Sequence, residues 1–130
     1  MYIDNELKLD FKDVLIRPKR SNLNSRSEVD LEREFTFKHS SFKWKGVPIM
    51  AANMDTIGTY EMAIELYKHK MFTCIHKHYT IEEWKSFRDA ISISNTDKSI
   101  YNHIAVTTGS KEDDLEKLNL ILNELPDIKF

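Results

Sequence analysis

Two histidines flank a lysine in the string His76-Lys77-His78-Tyr79, directly after an apolar run at 71–75. In an extended segment, His76 and His78 would face one side and could share a metal ion. No third ligand stands nearby at a matching spacing, so the sequence favours a structural or hydrogen-bonding role for the pair. Lys77 would face the other side, and its place at the end of a predicted strand favours contact with an anionic ligand.

A second polar string, Asn53-Met54-Asp55-Thr56, ends another apolar run. Asp55 could bind a hydroxyl group or orient a lysine at the edge of a sheet. The same residue types also form turns, in which Asp and Thr side chains bond to nearby backbone groups. The sequence leaves both interpretations open.

Cys74 is the single cysteine of the chain, which excludes an intramolecular disulfide and a zinc site built from cysteines. A reactive thiol needs exposure and an electropositive setting. Cys74 instead lies inside an apolar run, where a free cysteine usually packs as a small hydrophobic residue. A structural role is therefore favoured over a nucleophilic one.

A basic stretch at 11–26 carries five cations against one acid, Asp13. The cations are Lys12, Arg17, Lys19, Arg20 and Arg26. Such a stretch could bind phosphate or nucleic acid. Charge clusters are also common on solvated loops, and charge alone favours that simpler interpretation.

Strands and helices alternate from Gly46 onward. Apolar runs at 47–54, 71–75 and 104–106 predict strands, the first of them buried on both faces. A helix is predicted after each strand, beginning at Thr59, at the capping box Thr80-Ile-Glu-Glu83 and at Ser110-Lys-Glu-Asp113. This alternation is typical of a parallel α/β sheet or barrel.

The sequence also predicts structure on either side of these strand–helix units: a hairpin before them and a further strand after them. In the segment 1–45, Pro18 stops any helix, and the alternating strings Phe35-Thr-Phe37 and Phe42-Lys-Trp44 predict a hairpin. A polar turn is predicted at 95–99, and Ile128-Lys-Phe130 predicts the start of a fourth strand. A buried parallel strand needs a covering helix, and none follows Phe130 in this sequence. We therefore expect one truncated domain, with 46–130 holding about three strand–helix units.

Composition restricts the class of protein further. The 130 residues suit one domain, and 41% hydrophobic residues with a net charge of −2 exclude a disordered chain. No run of 18 apolar residues predicts a transmembrane helix, and the acidic start lacks the apolar region of a signal peptide. We therefore expect a cytoplasmic protein, and the charge balance does not indicate nucleic-acid binding.

Several strings resemble the GMP reductases of the IMP dehydrogenase/GMP reductase family. The resemblance runs from about Leu7 to Phe130, with a poorly matched stretch at 89–102. The strings are Leu7-Lys-Leu-Asp-Phe-Lys-Asp-Val-Leu-Ile-Arg-Pro-Lys-Arg20, Ser25-Arg26, Val29-Asp-Leu-Glu-Arg33, Phe35-Thr-Phe37, Ala51-Ala-Asn-Met-Asp-Thr56 and the segment 72–79.

The resemblance implies a partial (β/α)8 TIM barrel from a homotetrameric enzyme that converts GMP to IMP and ammonia with NADPH. In that family a cysteine attacks C2 of the purine, ammonia leaves, and the nicotinamide delivers a hydride. Family cofactor-binding positions fall on Ser25, Arg26 and Lys77, and a substrate contact falls on Met54.

The catalytic cysteine, acid–base threonine and phosphate loops of the family match no part of this chain. No catalytic residue or metal ligand is therefore expected here, and the isolated chain should be inactive. Two alternatives stay open. An IMP dehydrogenase fragment is disfavoured, because the His-Lys-His-Tyr form is that of the reductase and the segment 92–101 leaves no room for inserted regulatory domains. The other is a non-catalytic half-barrel that assembles with itself or with a partner.

Overall fold

The computed structural model describes residues 3–39, 41–94 and 97–130. Contacts within the chain divide it into two units, Met1–Asp30 and Leu31–Phe130.

The first unit contains short helical turns. One-turn 3-10 helices cover Phe11–Asp13 and Arg26–Glu28, and every residue described in this unit is exposed. Asp10 caps the first turn, because its carboxylate accepts the Phe11 backbone N–H at 2.7 Å. Around Pro18 the described backbone is irregular, in agreement with the prediction that this proline stops a helix.

The second unit begins with the predicted hairpin, formed by β1 (Arg33–Thr36) and β2 (Lys43–Gly46). Trp44 lies opposite Phe35 and is buried, and its ring centroid lies 6.0 Å from that of Phe72 in the neighbouring sheet. The hairpin therefore packs on the sheet through the Trp44 ring. The hairpin prediction is confirmed, although Ser40 lies outside the described residues.

A parallel sheet follows, made of β3 (Met50–Ala51), β4 (Phe72–Ile75) and β5 (Ile104–Val106) in that spatial order. Both pairings are parallel, with Ala51 opposite Thr73 and Cys74 opposite Ala105. Parallel neighbours need a crossover connection, and helices supply it here. The prediction of an α/β fold with parallel strands is confirmed, while closure into a barrel stays a prediction.

The first two helices begin where the sequence signals indicate. Thr59 caps α1 (Tyr60–Lys68), since its hydroxyl accepts the Met62 N–H at 3.2 Å. Thr80 and Glu83 form the predicted capping box of α2 (Ile81–Ile93), and the Glu83 carboxylate accepts the Thr80 N–H at 2.7 Å. Among the described residues, no helix is long and apolar enough to cross a membrane.

The third helix, α3 (Glu112–Glu124), begins differently from the prediction. Lys111 is its N-cap, and the Asp114 carboxylate accepts the Lys111 backbone N–H at 3.4 Å. The predicted capping box at Ser110 is therefore wrong, because an acid in the first turn of α3 satisfies the backbone donor instead.

The core of the second unit lies between the parallel sheet and the three helices. Its apolar members come from the three helices, from the strands and from the segment after α3. The fully buried or nearly buried side chains include Ala63, Ile75, Trp84, Phe87, Ile91, Ile100, Tyr101, Ile104, Ile121, Leu125 and Ile128.

The first strand of the sheet corrects a prediction. A strand buried on both faces was expected at 47–54, but only Met50 and Ala51 pair with β4, and Ile49 and Met50 are 54% and 61% exposed. Within the described residues β3 has no second neighbour, so it is an edge strand with an incomplete ladder. Its apolar side chains consequently line an open groove.

Two loops also differ from the predictions. A fourth strand was expected to start at Ile128, but residues 128–130 form no strand, and a single bond from the Val106 N–H to the Phe130 carbonyl (3.0 Å) joins them to β5. One bond does not make a ladder. The predicted turn at 95–99 includes residues 95 and 96, outside the described residues, and continues as a 3-10 helix, Lys98–His103.

Replacing His103 by phenylalanine should reduce the acid sensitivity of the fold. The His103 ring is buried 5.5 Å from Trp44 and 5.3 Å from Tyr67, and Nδ1 has no hydrogen-bond partner among the described residues. Burial lowers the pKa of this imidazole from its ordinary 6.5. As the pH falls below that value the unfolded chain is protonated first, so the free energy of unfolding decreases.

Phenylalanine keeps the aromatic packing and removes the titrating group. Urea unfolding at about pH 7.5 and about pH 5.5 measures the effect, because the interval brackets the ordinary histidine pKa. The loss of stability between the two conditions should be smaller in His103→Phe than in the parent. An equal loss in both proteins would contradict this role for His103.

Candidate functional site

The carboxyl edge of the parallel sheet gathers the chemistry-bearing loops. Because β3, β4 and β5 run in one direction, the loops that follow them leave from the same edge of the sheet. Met54 lies in the first loop and Lys77 in the second, so the structure brings these two predicted site residues to one edge of the sheet.

The loop after β3 closes as a tight turn on Met54. The Met54 carbonyl accepts the N–H of Ile57 at 2.9 Å and that of Gly58 at 2.7 Å. Met54 itself is 55% exposed, and Asp55 is exposed as well. The turn interpretation of this string therefore describes the backbone, and it leaves the Met54 side chain accessible to a ligand.

A hydrogen-bond relay connects this turn to the second loop. Gly58 donates its N–H to the Met54 carbonyl and accepts the His76 N–H at 2.9 Å with its own carbonyl. Gly58 is buried, and a Cβ atom built on it would lie 2.2 Å from the Cys74 carbonyl oxygen. The absence of a side chain at position 58 is therefore what allows the two loops to approach.

Stacked rings hold both ends of the second loop. Tyr79 stacks on His76 at a ring-centroid distance of 4.1 Å and on Tyr60 at 3.9 Å, and Tyr60 stacks on Phe87 of α2 at 4.4 Å. Burial raises the pKa of the Tyr60 hydroxyl, which keeps this residue neutral. The stack fixes His76 and Tyr79 on either side of the two exposed residues Lys77 and His78.

One hydrogen bond joins the two histidines. The His78 backbone N–H donates to Nδ1 of His76 at 3.3 Å, and His76 is buried whereas His78 is exposed. β4 ends at Ile75 and residues 77 and 78 form a turn, so the extended alternation assumed for this string is wrong. Within the described residues no group of three or more His, Cys, Asp or Glu could hold a metal ion.

Lys77 is presented at the tip of the second loop. Its side chain is exposed, and within the described ranges its ammonium group forms no ion pair. Its backbone carbonyl accepts a hydrogen bond from Nζ of Lys117 on α3 at 2.9 Å. The backbone is thus tied down while the cationic side chain stays available to an anion.

The Cys74 side chain lines the apolar groove. We use this name for the cavity of about 360 Å³ between the hairpin and the sheet, whose lining includes Phe35, Trp44, Met50, Phe72, Cys74 and Phe130. Burial raises the pKa of the Cys74 thiol, which disfavours the thiolate. The structure agrees with the structural role that the sequence favours.

Ser25 and Arg26 lie in the first unit. The Ser25 hydroxyl caps the helical turn Arg26–Glu28 by accepting the Ser27 N–H at 3.2 Å. Arg26 is exposed, and its guanidinium has no ion pair within the parts of the chain that the structure describes. Capping gives Ser25 a structural role, while Arg26 is available to an anionic ligand.

Sequence reasoning missed three residues that shape the site. Gly58 carried a usable signal, because a glycine shortly after a strand end often marks a close approach of backbone. Tyr60 and Lys117 carried none, because each acts through a partner distant in sequence: Tyr60 through Tyr79, and Lys117 through Lys77, 40 residues away.

Comparison with known proteins bears on both units. The family model of the IMP dehydrogenase / GMP reductase domain matches residues 8–129. GMP reductase 1 of Rattus norvegicus is 54% identical over 128 residues, which cover 98% of this chain and 35% of that protein.

Two further relatives agree with this match. The GMP reductase of Caenorhabditis elegans is 50% identical over 98% of this chain and 34% of its own length. The GMP reductase of Escherichia coli O1:K1 / APEC is 52% identical over 100% of this chain and 36% of its own length. The chain thus spans about a third of the length of the curated relatives it matches.

Proposed function

Because this chain belongs to the IMP dehydrogenase / GMP reductase family, we propose that it takes part in the NADPH-dependent reductive deamination of GMP to IMP and ammonia. Its resemblance to GMP reductases is confirmed by relatives that are 50% to 54% identical. The observation that carries the proposal is the exposed Lys77 ammonium, which stands without an ion pair among the described residues on an anchored loop at the carboxyl edge of the sheet.

The residues of this chain fit a phosphorylated cofactor. Phosphate oxygens are bound best by cations that donate charge-assisted hydrogen bonds, and Lys77 and Arg26 each offer such donors in their own unit. We assign cofactor binding to Ser25, Arg26 and Lys77, and a substrate contact to Met54. NADPH supplies the hydride when bound, and the part of this chain is to bind and orient.

No residue of the chain is assigned a catalytic role. The chemistry of the family needs a cysteine nucleophile, and Cys74 lies in the apolar groove with a raised thiol pKa. The isolated chain should therefore show no GMP-dependent oxidation of NADPH. Absorbance of NADPH at its nicotinamide band measures this, and turnover by the 130 residues alone would contradict the assignment.

The reductase is favoured over IMP dehydrogenase by the short connection between α2 and β5. Helix α2 ends at Ile93, β5 begins at Ile104, and the described part of the connection is the 3-10 helix Lys98–His103. A pair of inserted regulatory domains has no room in such a connection.

We also propose that the whole enzyme is a homotetramer and is located in the cytoplasm, as the family resemblance implies.

Replacing Lys77 by alanine should weaken NADPH binding by about 1.5–3 kcal/mol, or roughly 10- to 150-fold in Kd, since the substitution removes a charged hydrogen bond to phosphate. Isothermal titration or quenching of NADPH fluorescence measures the change. The matched control is Lys43→Ala, which removes an exposed lysine of the hairpin that pairs with Glu34 at 3.1 Å. Unchanged affinity in Lys77→Ala would remove Lys77 from the cofactor site.

A second candidate function is a non-catalytic module that self-associates through the apolar groove. The groove favours it, because an exposed apolar surface on an edge strand tends to find a partner. The two candidates differ in one observable property, namely NADPH affinity that depends on Lys77. Self-association without such binding, measured by sedimentation together with the titration above, would favour the module.

A further inference from the structure

Lys117 contacts the loop of Lys77 from a helix that follows a different strand. It lies on α3 (Glu112–Glu124), and its Nζ donates to the Lys77 backbone carbonyl at 2.9 Å. The two residues are 40 positions apart, so this bond is a tertiary contact between α3 and the loop after β4. Lys117 is partly buried, and within the described residues it forms no ion pair.

Lys117 contacts the loop between two residues that are already held in place, His76 and Tyr79. His76 is held by ring stacking and by the Gly58 carbonyl, and Tyr79 is held by ring stacking. Between these two anchors, the Lys77–His78 peptide is held on both of its polar groups: its N–H donates to Nδ1 of His76 at 3.3 Å, and its carbonyl accepts from Nζ of Lys117 at 2.9 Å. The bond from Lys117 is the shorter of the two and comes from another element, so Lys117 ties the tip of the loop that carries Lys77 to α3.

The charge of Lys117 also reaches this loop. The pKa of the Glu83 carboxyl is lowered first by hydrogen bonds from Thr80, and to a lesser extent by the nearby charge of Lys117. Glu83 is already committed to capping α2. A cation therefore stands beside the loop that presents Lys77 and adds to the positive potential met by an anionic ligand.

We propose that Lys117 is a positioning residue for cofactor binding: it fixes the Lys77 peptide, so that the Lys77 ammonium is presented to a phosphate group of the dinucleotide. The inference rests on the proposed function for the identity of the ligand. It goes beyond that function by assigning a role to a helix residue that does not itself bind the cofactor.

The test compares Lys117→Met and Lys117→Arg in the 130-residue chain. Methionine keeps the length and packing of the side chain but cannot donate, whereas arginine restores a cationic donor. Lys85→Met is the matched control, because Lys85 bridges α2 to Glu124 of α3 at 3.5 Å and, among the described residues, forms no ion pair with the loop. The two readouts are the exchange rates of the Lys77 and His78 backbone amides and the Kd for NADPH.

Lys117→Met should speed amide exchange in the loop and weaken NADPH binding about 3- to 10-fold, the scale of one lost hydrogen bond. Lys117→Arg should restore both, and Lys85→Met should change neither. A merely structural role for Lys117 would lower global stability in Lys117→Met without a local change in exchange, and that result would overturn the inference.

The measurements distinguish a failure of the inference about Lys117 from a failure of the proposed function. If the parent chain binds NADPH and Lys77→Ala weakens that binding, but Lys117→Met leaves it unchanged, only the inference about Lys117 falls. If the parent chain binds no NADPH, the proposed function falls, and the positioning role for the cofactor falls with it.

Discussion

Replacing Trp84 by alanine should lower the free energy of unfolding by about 3–5 kcal/mol, a large part of the stability of a small domain. Trp84 is 1% exposed in the core of the second unit. Its ring meets Tyr60 edge to face at 5.3 Å and Phe87 at 6.3 Å. Alanine would leave a cavity beside both rings, and the residues around it cannot close it fully.

The matched control for Trp84→Ala lies on the same helix. Ile93 is 82% exposed at the end of α2, so Ile93→Ala should change the unfolding free energy by no more than about 0.5 kcal/mol. Urea unfolding followed by circular dichroism compares the two variants. Similar losses in both would show that the ring packing around Trp84 contributes little.

Replacing Gly58 by alanine should have the second-largest effect, a destabilisation of about 3 kcal/mol or more, at the upper end of overpacking costs. The added Cβ would lie 2.2 Å from the Cys74 carbonyl oxygen and 3.0 Å from that of Ala52. Both are backbone atoms, which cannot rotate out of the way. The loop of Met54 would have to separate from β4, and the Gly58–His76 hydrogen bond would be lost.

Gly109→Ala is the control for Gly58→Ala, since its Cβ would meet a side chain instead. The nearest atom is Oδ2 of Asp114 at 2.1 Å, and that carboxylate can adopt another rotamer if it gives up its hydrogen bond to the Lys111 N–H. The substitution should therefore cost about 1 kcal/mol, the scale of one lost helix cap. Thermal unfolding of both variants decides the point: an equal or smaller loss in Gly58→Ala would contradict the close approach described for Gly58.

The parts of the fold that depend on local signals could be predicted from the sequence. The capping box at Thr80 predicts the start of α2 correctly, because this signal acts within a few residues. The hairpin prediction succeeds for the same reason, since alternation and a short connection specify it locally.

Predictions failed where the structure of a segment depends on a neighbouring strand. An apolar run at 47–54 predicts a buried strand only if other strands flank it, and β3 pairs on one side alone among the described residues. The segment 128–130 likewise makes one bond to β5 and no ladder. Hydrophobicity indicates that a segment can be buried, but pairing decides whether it becomes a strand.

The sequence predicts which residues the candidate site presents, but not which residues hold their backbone in place. Lys77 and Met54 stand at strand ends in the sequence, and the structure brings those ends to one edge of the sheet. The groups that fix their backbone, Gly58, Tyr60 and Lys117, act through contacts across different elements. Gly58 has a sequence signal in its place shortly after a strand end. The contacts of Tyr60 and Lys117 leave no trace in residue spacing, so only the three-dimensional structure reveals them.

The central claim is that this chain binds a phosphorylated nicotinamide cofactor through Lys77. The most direct test is an NADPH titration of the isotope-labelled 130-residue chain, followed by the chemical shifts of its backbone amides. We predict saturable shifts at residues 76–79 and at Ser25 and Arg26, and loss of the shifts at 76–79 in Lys77→Ala. Shifts that avoid the loop of Lys77, or that persist there unchanged in Lys77→Ala, would contradict the account.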